Sequence, residues 1–220
     1  MATITLYPTA DTSLNHLCSS GSSGYAMIDE TSSDSDSTYI YQSVTSKTST
    51  TVTSQFKISG TNVGKIKISS VTLGVYYKKS GSTTNSATLI CSLIRGGSTY
   101  ADSSVSMSTS YSLHTMTKSA SDLGIADKVF DSFDAVNFGV QIQTTAKKWS
   151  SWGSTYQARI TQVYLTVEYE IVNEGTGIYI KQNGAYKQAQ NAYKKVSGVW
   201  VKQDASTLKT EMQSGRYILG

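Results

Sequence analysis

Apolar and polar residues alternate along most of the first 170 positions, which is the period of strands with one buried face. From Val136 to Ile142 the apolar set is Val136, Phe138, Val140 and Ile142, with Asn137, Gly139 and Gln141 between them. From Val163 to Ile171 it is Val163, Leu165, Val167, Tyr169 and Ile171, with Tyr164, Thr166, Glu168 and Glu170 outward. Thr51 to Ile58 puts Val52, Phe56 and Ile58 on one face and Thr51, Thr53, Gln55 and Lys57 on the other. Between Lys65 and Tyr77 the apolar parity flips from Ile66 and Ile68 to Val71, Leu73, Val75 and Tyr77, across Ser69 and Ser70. That slip predicts either a bulge or a crossing between sheets. Thr3–Tyr7, Thr38–Val44, Ala87–Arg95, Ser104–Met107 and Tyr111–Lys118 complete a set of about eight or nine strands, parted by Gly, Ser, Asp and Asn clusters. So many short strands without alternating helices predict an all-β fold, an antiparallel jelly-roll β-sandwich over residues 1–171. One short helical piece is expected around Ser121 to Phe130.

Beyond this body the texture changes. Residues 172–177 read as a linker and 178–220 as a small C-terminal β-hairpin extension. Tyr179-Ile-Lys-Gln-Asn-Gly-Ala-Tyr186 repeats as Tyr193-Lys-Lys-Val-Ser-Gly-Val-Trp200 at a period of 14. Asn183-Gly184 and Ser197-Gly198 lie between strand-like flanks, and Asn-Gly suits a type I′ turn because both central residues need positive φ. Two successive hairpins are predicted, then a closing helix over Asp204 to Gly215 with Leu208 and Met212 on one face. An isolated hairpin is marginal in water, so Tyr179, Tyr186, Tyr193 and Trp200 are expected to cover a surface during assembly.

Composition sharpens this picture. Ser and Thr supply 64 of the 220 residues against 15% charged residues and the single proline Pro8, which excludes collagen-like, coiled-coil and helical-bundle proteins. With 15 Tyr, 3 Trp and 4 Phe there is too much buriable apolar area for a disordered chain. No run reaches the ~18 apolar residues of a membrane helix, and Met1 to Ala10 lacks the basic-then-apolar layout of an export signal. The expectation is a soluble chain made in the cytoplasm, with no membrane partner. The net charge of +4 belongs to the tail: residues 1–170 hold 12 basic and 12 acidic side chains, residues 171–220 hold 7 and 3. Those lysines are spread among Tyr, Gly and Gln, which reads as a solvated strand face and not as a nucleic-acid footprint. Cys18 and Cys91, 73 residues apart and in no metal-ligand spacing, read as reduced, part-buried thiols.

Candidate chemistry is sparse. Neither His16 nor His114 has a metal or triad partner at a recognisable spacing, Ser22 and Ser23 form no Gly-x-Ser-x-Gly elbow, and no helix follows Gly96-Gly97 to cradle a phosphate. No active site, and hence no enzyme, is expected. The acidic stretch Asp29, Glu30, Asp34 and Asp36 reads as a solvated turn-rich loop; its carboxylates, with nearby hydroxyls, would also suit calcium, although the EF-hand spacing is missing. The loop Lys147-Lys148-Trp149-Ser-Ser-Trp152-Gly-Ser-Thr-Tyr156 places aromatic rings beside cations. Either the rings fold back to cap the sandwich, or Trp149, Trp152 and Tyr156 with Lys147 and Lys148 form a surface for a sugar or a protein partner.

The stretches Leu6-Tyr-Pro-Thr-Ala-Asp11, Ser20-Gly-Ser-Ser-Gly-Tyr-Ala-Met-Ile-Asp-Glu30, the acidic Asp34-Ser-Asp36 before Thr38-Tyr-Ile, Phe133-Asp-Ala-Val-Asn-Phe-Gly-Val-Gln-Ile142 and Ala158-Arg-Ile-Thr-Gln-Val-Tyr-Leu-Thr-Val-Glu-Tyr169 resemble a β-sandwich domain of tailed-bacteriophage virion proteins. The phrase Tyr193 to Lys202 is similar to repeats of phage tail and structural proteins. The resemblance implies a virion component, a head decoration, head fibre or tail accessory, that carries no catalytic residues and assembles with other virion proteins and with copies of itself. The alternative is a glycan-binding module for host attachment that uses the Trp149/Trp152 loop on a cell-surface sugar.

Overall fold

The computed structural model describes residues 1–32, 37–45, 47–81, 85–149 and 155–172, and the backbone of 179–182, 185–188, 192–196 and 199–203. The chain divides into two compact units, Met1–Val172 and Asn173–Gly220. In the first, the strands are β1 (Ala2–Leu6), β2 (Pro8–Ser13), β3 (Leu17–Cys18), β4 (Ile40–Val44), β5 (Ser49–Ile58), β6 (Ile66–Lys79), β7 (Ser86–Arg95), β8 (Ser98–Ala101), β9 (Val105–Ser106), β10 (Ser112–Ser119), β11 (Phe138–Lys147) and β12 (Tyr156–Ile171), with a 3-10 turn at Tyr25–Met27 and one α-helical turn, α1 (Phe133–Val136). One sheet runs β10-β6-β12-β4-β3, with β1 also on β12; the other runs β2-β5-β11-β7-β8, with β9 also on β7. All pairings are antiparallel. Strands β4 to β7 and β10 to β12 alternate between the sheets, as a jelly-roll sandwich requires.

The inward parity builds the core. Val71, Leu73, Val75, Val163, Leu165 and Val167 of one sheet, and Phe56, Leu89, Leu93, Phe138, Val140 and Ile142 of the other, are buried. At about 25 cal/mol per Å² of apolar surface removed from water, this double layer is the main stabilising term. Glu168 pairs with Ser70 and Tyr169 with Ile68, so Ser69 is an extra residue and the parity slip is a bulge. Ile171, on the expected inward parity, is half-exposed at the end of β12.

Ser121 to Phe130 is not a helix. It folds as turns closed by Gly124 N–H to Ser121 O at 3.0 Å and Ile125 N–H to Ala120 O at 2.8 Å, with Gly124 at φ 64° breaking any helical continuation. The helical turn is α1, which takes Val136 out of the strand expected there; Ser132 Oγ caps it by accepting from Ala135 N–H at 3.3 Å, and Asn137 at φ 57° ends it. Strands β2, β3 and β8 are additional to the sequence reading. The pairing of Arg95 with Ser98 leaves Gly96-Gly97, both at positive φ, as a two-residue hairpin turn.

In the second unit, β13 (Tyr179–Gln182) pairs with β14 (Ala185–Gln188), and β15 (Ala192–Val196) with β16 (Val199–Gln203), as separate two-stranded sheets. The register sets Lys181 opposite Tyr186, Tyr193 opposite Lys202 and Lys195 opposite Trp200, so aromatic and basic positions are cross-strand neighbours. The linker residues 173–177, the turn dipeptides Asn183-Gly184 and Ser197-Gly198, and the Asp204–Gly215 segment lie outside the described residues.

Candidate functional site

Of the aromatic loop, Trp149 remains at the surface, 51% exposed, just beyond the end of β11. Its backbone N–H donates to Asn85 Oδ1 at 3.2 Å, and Lys147 Nζ stands 3.6 Å from its ring centroid. Tyr156 and Lys148 do not belong to that surface. Tyr156 opens β12 on the inward parity it shares with Ala158 and Ile160, is fully buried, and has its phenol pushed up by that burial. Lys148 is 3% exposed and turns its ammonium to the Thr45 carbonyl at 3.3 Å. Trp152 lies outside the described residues.

In the acidic loop, the Thr38 hydroxyl donates to the Glu30 carboxylate, and the Glu30 carbonyl accepts from Gln162 Nε2 at 2.7 Å. Asp29 is half-buried, while Asp34 and Asp36 lie outside the described residues. Among the described residues no group of three or more His, Cys, Asp or Glu could hold a metal ion. Tyr179, Tyr186, Tyr193 and Trp200 are placed only by the backbone register of their hairpins.

Both histidines have partners that lie far away in sequence or across strands. His16 is buried, with Nδ1 2.8 Å from Ser54 Oγ and Nε2 2.9 Å from Thr144 Oγ1. Although this is a Ser–His contact, Ser54 Oγ also accepts the N–H groups of Asn15 and His16 at 2.9 and 3.0 Å and is closed to solvent, so it is structural. His114 Nε2 is 2.9 Å from Asp102 Oδ2. Burial pushes the Asp102 carboxyl up, but the Ser103 N–H, His114 and Lys118 outweigh it and hold the group below its ordinary value.

A groove lies on the outer face of the β10-β6-β12 sheet. Thr5, Tyr7, Thr31, Ser32, Tyr76, Gln162 and Tyr164 line about 370 Å³. Two local features build it. First, β12 carries a second bulge: Ile160 pairs with Tyr77 and Gln162 with Tyr76, so Thr161 is extra. Thr161 turns its hydroxyl to the Thr38 carbonyl at 3.0 Å, and Gln162 joins Tyr76 and Tyr164 on the outer face. Second, Tyr164 stands directly opposite Gly74, and a Cβ on Gly74 would lie 2.3 Å from Tyr164 Cζ. The missing side chain lets the phenol lie across β6. Burial pushes the Tyr164 phenol up, and Tyr76 and Tyr7 act in the same direction, so it stays protonated as a donor at neutral pH. A second depression of about 330 Å³ lies over Gly139 on the other sheet, flanked by Gln55, Lys57, Ile94 and Thr99.

Alternation places Tyr164 outward, but nothing local in the sequence joins it to Tyr76. The usable signal is large aromatics at solvent-facing strand positions, which costs apolar exposure unless they pack or bind. No protein-family model matches the chain. No curated protein matches it either. Among solved structures, one described as "CBM4 structure and function" superposes at 16% identity with a TM-score of 0.34, covering 59% of this chain and 84% of that one.

Proposed function

We propose that this chain is a non-enzymatic structural component of a tailed-bacteriophage particle, in which the sandwich is displayed and the hairpin unit makes assembly contacts. The observation that carries the reading is the division of the chain after Val172 into a sandwich with its own core and a unit of two separate two-stranded hairpins. Two-stranded sheets are marginal alone, and a 14-residue repeat of Tyr, Lys and Trp supplies contact chemistry suited to a repeated protein surface. The phage-like stretches from Leu6 to Asp11 and from Phe133 to Ile142 support the same reading. The half-exposed Trp149 is available as a further contact, with Lys147 already over one face of its ring.

The test is a chain ended at Val172. It should stay folded and soluble by circular dichroism, lose self-association in size-exclusion chromatography with light scattering, and fail to enter particles in a complementation assay. Normal incorporation of the shortened chain would place the docking surface on the sandwich and sink the assembly role of the hairpins. Aggregation would make the hairpins part of the sandwich's own stability.

A further inference from the structure

The lining of the groove beside Gly74 differs from a plain solvated sheet face. Among the described residues three tyrosines, one amide, two threonines and a serine converge on it, and none of these seven side chains is charged at neutral pH. Its volume of about 370 Å³ falls within the range of small-molecule sites, ~300–1,000 Å³. The lining selects among ligand classes. An ionic ligand would lose water without gaining a counter-charge from these seven groups, and a purely apolar one would strand the hydroxyls and the amide. A sugar ring suits both halves of this chemistry: its C–H face packs on aromatic rings, and its hydroxyls exchange hydrogen bonds with phenols, amides and threonines.

We infer that the groove formed by Tyr7, Tyr76, Tyr164 and Gln162 binds a neutral saccharide, with the Tyr164 ring as platform. The site is preorganised. Gly74 leaves room for the Tyr164 ring to lie across the sheet, so the platform exists before the ligand arrives. Gln162 is 3% exposed and anchored by Nε2 on the Glu30 carbonyl at 2.7 Å, which leaves Oε1 as the amide acceptor for a sugar hydroxyl. Tyr76 on β6 and Tyr164 on β12 come from paired strands that hold their spacing, and Tyr7 joins them from the link between β1 and β2.

The full-length chain is to be screened on an array that carries neutral oligosaccharides, neutral bacterial polysaccharides and anionic glycans, with hits titrated by calorimetry. Neutral glycans should bind, Tyr164→Ala and Tyr76→Ala should weaken binding at least tenfold, and Trp149→Ala should bind as the parent does. Tyr164→Phe keeps the platform and should lose less than Tyr164→Ala. Thermal melts report whether each variant is folded; where Tyr164→Ala is not, tyrosine-ring NMR shifts of the unaltered chain on adding the glycan carry the test. Binding of anionic glycans alone, no binding anywhere on the array, or loss of binding through Trp149→Ala instead of the tyrosine variants would overturn the assignment. Particle incorporation is not read here, so this inference and the assembly role fail separately.

Discussion

A single buried imidazole shows how much is settled residue by residue. Thr144 donates its proton to Gln42 Oε1 at 2.8 Å, so its oxygen must accept from His16 Nε2–H, and Nδ1 is left to accept from the Ser54 hydroxyl. Gln42 continues the chain to the Thr50 carbonyl at 2.7 Å. Every polar group in this run is satisfied with His16 neutral, and burial lowers its pKa from 6.5 to about 4. Between those values the unfolded chain binds a proton that the folded one refuses, so stability rises with pH across the window and falls on acidification. The loss from pH 6.5 down to 4 should reach about 3 kcal/mol. Urea unfolding at several pH values checks it: His16→Gln, less stable overall, should have a flatter slope there than the parent. Parallel slopes would show that His16 does not carry the effect.

At the scale of elements, the two bulges do different work. The one at Ser69 returns β6 to inward parity, so that Val71, Leu73 and Val75 reach the core. The one at Thr161 does the same for Val163 and Leu165, and its by-product is an outward Gln162 beside Tyr76. Gly74 belongs to this arrangement, since an alanine there must push the Tyr164 phenol off the sheet. Because the displaced group is the far end of a side chain, and alanine in a strand recovers roughly 0.5–1 kcal/mol of backbone entropy, Gly74→Ala should change stability by no more than about 1 kcal/mol. Its signature should be optical: the raised Tyr164 titration should move back toward the ordinary tyrosine value in a spectrophotometric titration. A variant whose Tyr164 titrates as in the parent would mean that the ring does not depend on Gly74.

For the whole molecule, Cys91 offers a readout of the sandwich. It is buried at the centre of β7, and burial, helped by Asp102, pushes its thiol up to about 12, whereas Cys18 is only half-buried. A thiolate is the reactive form, so disulfide reagents at pH 8 should label Cys18 first and Cys91 only as the sandwich unfolds globally. The chain ended at Val172 should protect Cys91 as well as the full chain does, because among the described residues β7 pairs with β8, β9 and β11, all within the sandwich. Rapid labelling of Cys91 in that shortened chain would show that the hairpin unit stabilises the sandwich.

Strand identity was legible in the sequence because the two-residue period is a local property: Phe56, Val140 and Leu165 had to face one way wherever their strands paired. The Ser69 bulge was legible for the same reason, as a slip in that period. The start of β12 was hidden by its own bulge, which puts Tyr156, Ala158 and Ile160 out of phase with Val163 and made Tyr156 look like part of an exposed loop. The partnerships of His16 with Ser54 and Thr144 span 38 and 128 residues and have no local trace. The tyrosine groove is likewise a product of strand order, because only the placement of β12 between β6 and β1 brings Tyr164 over Gly74 and beside Tyr76 and Thr5. Alternation dictates which face a residue takes; the sheet topology decides what it meets there.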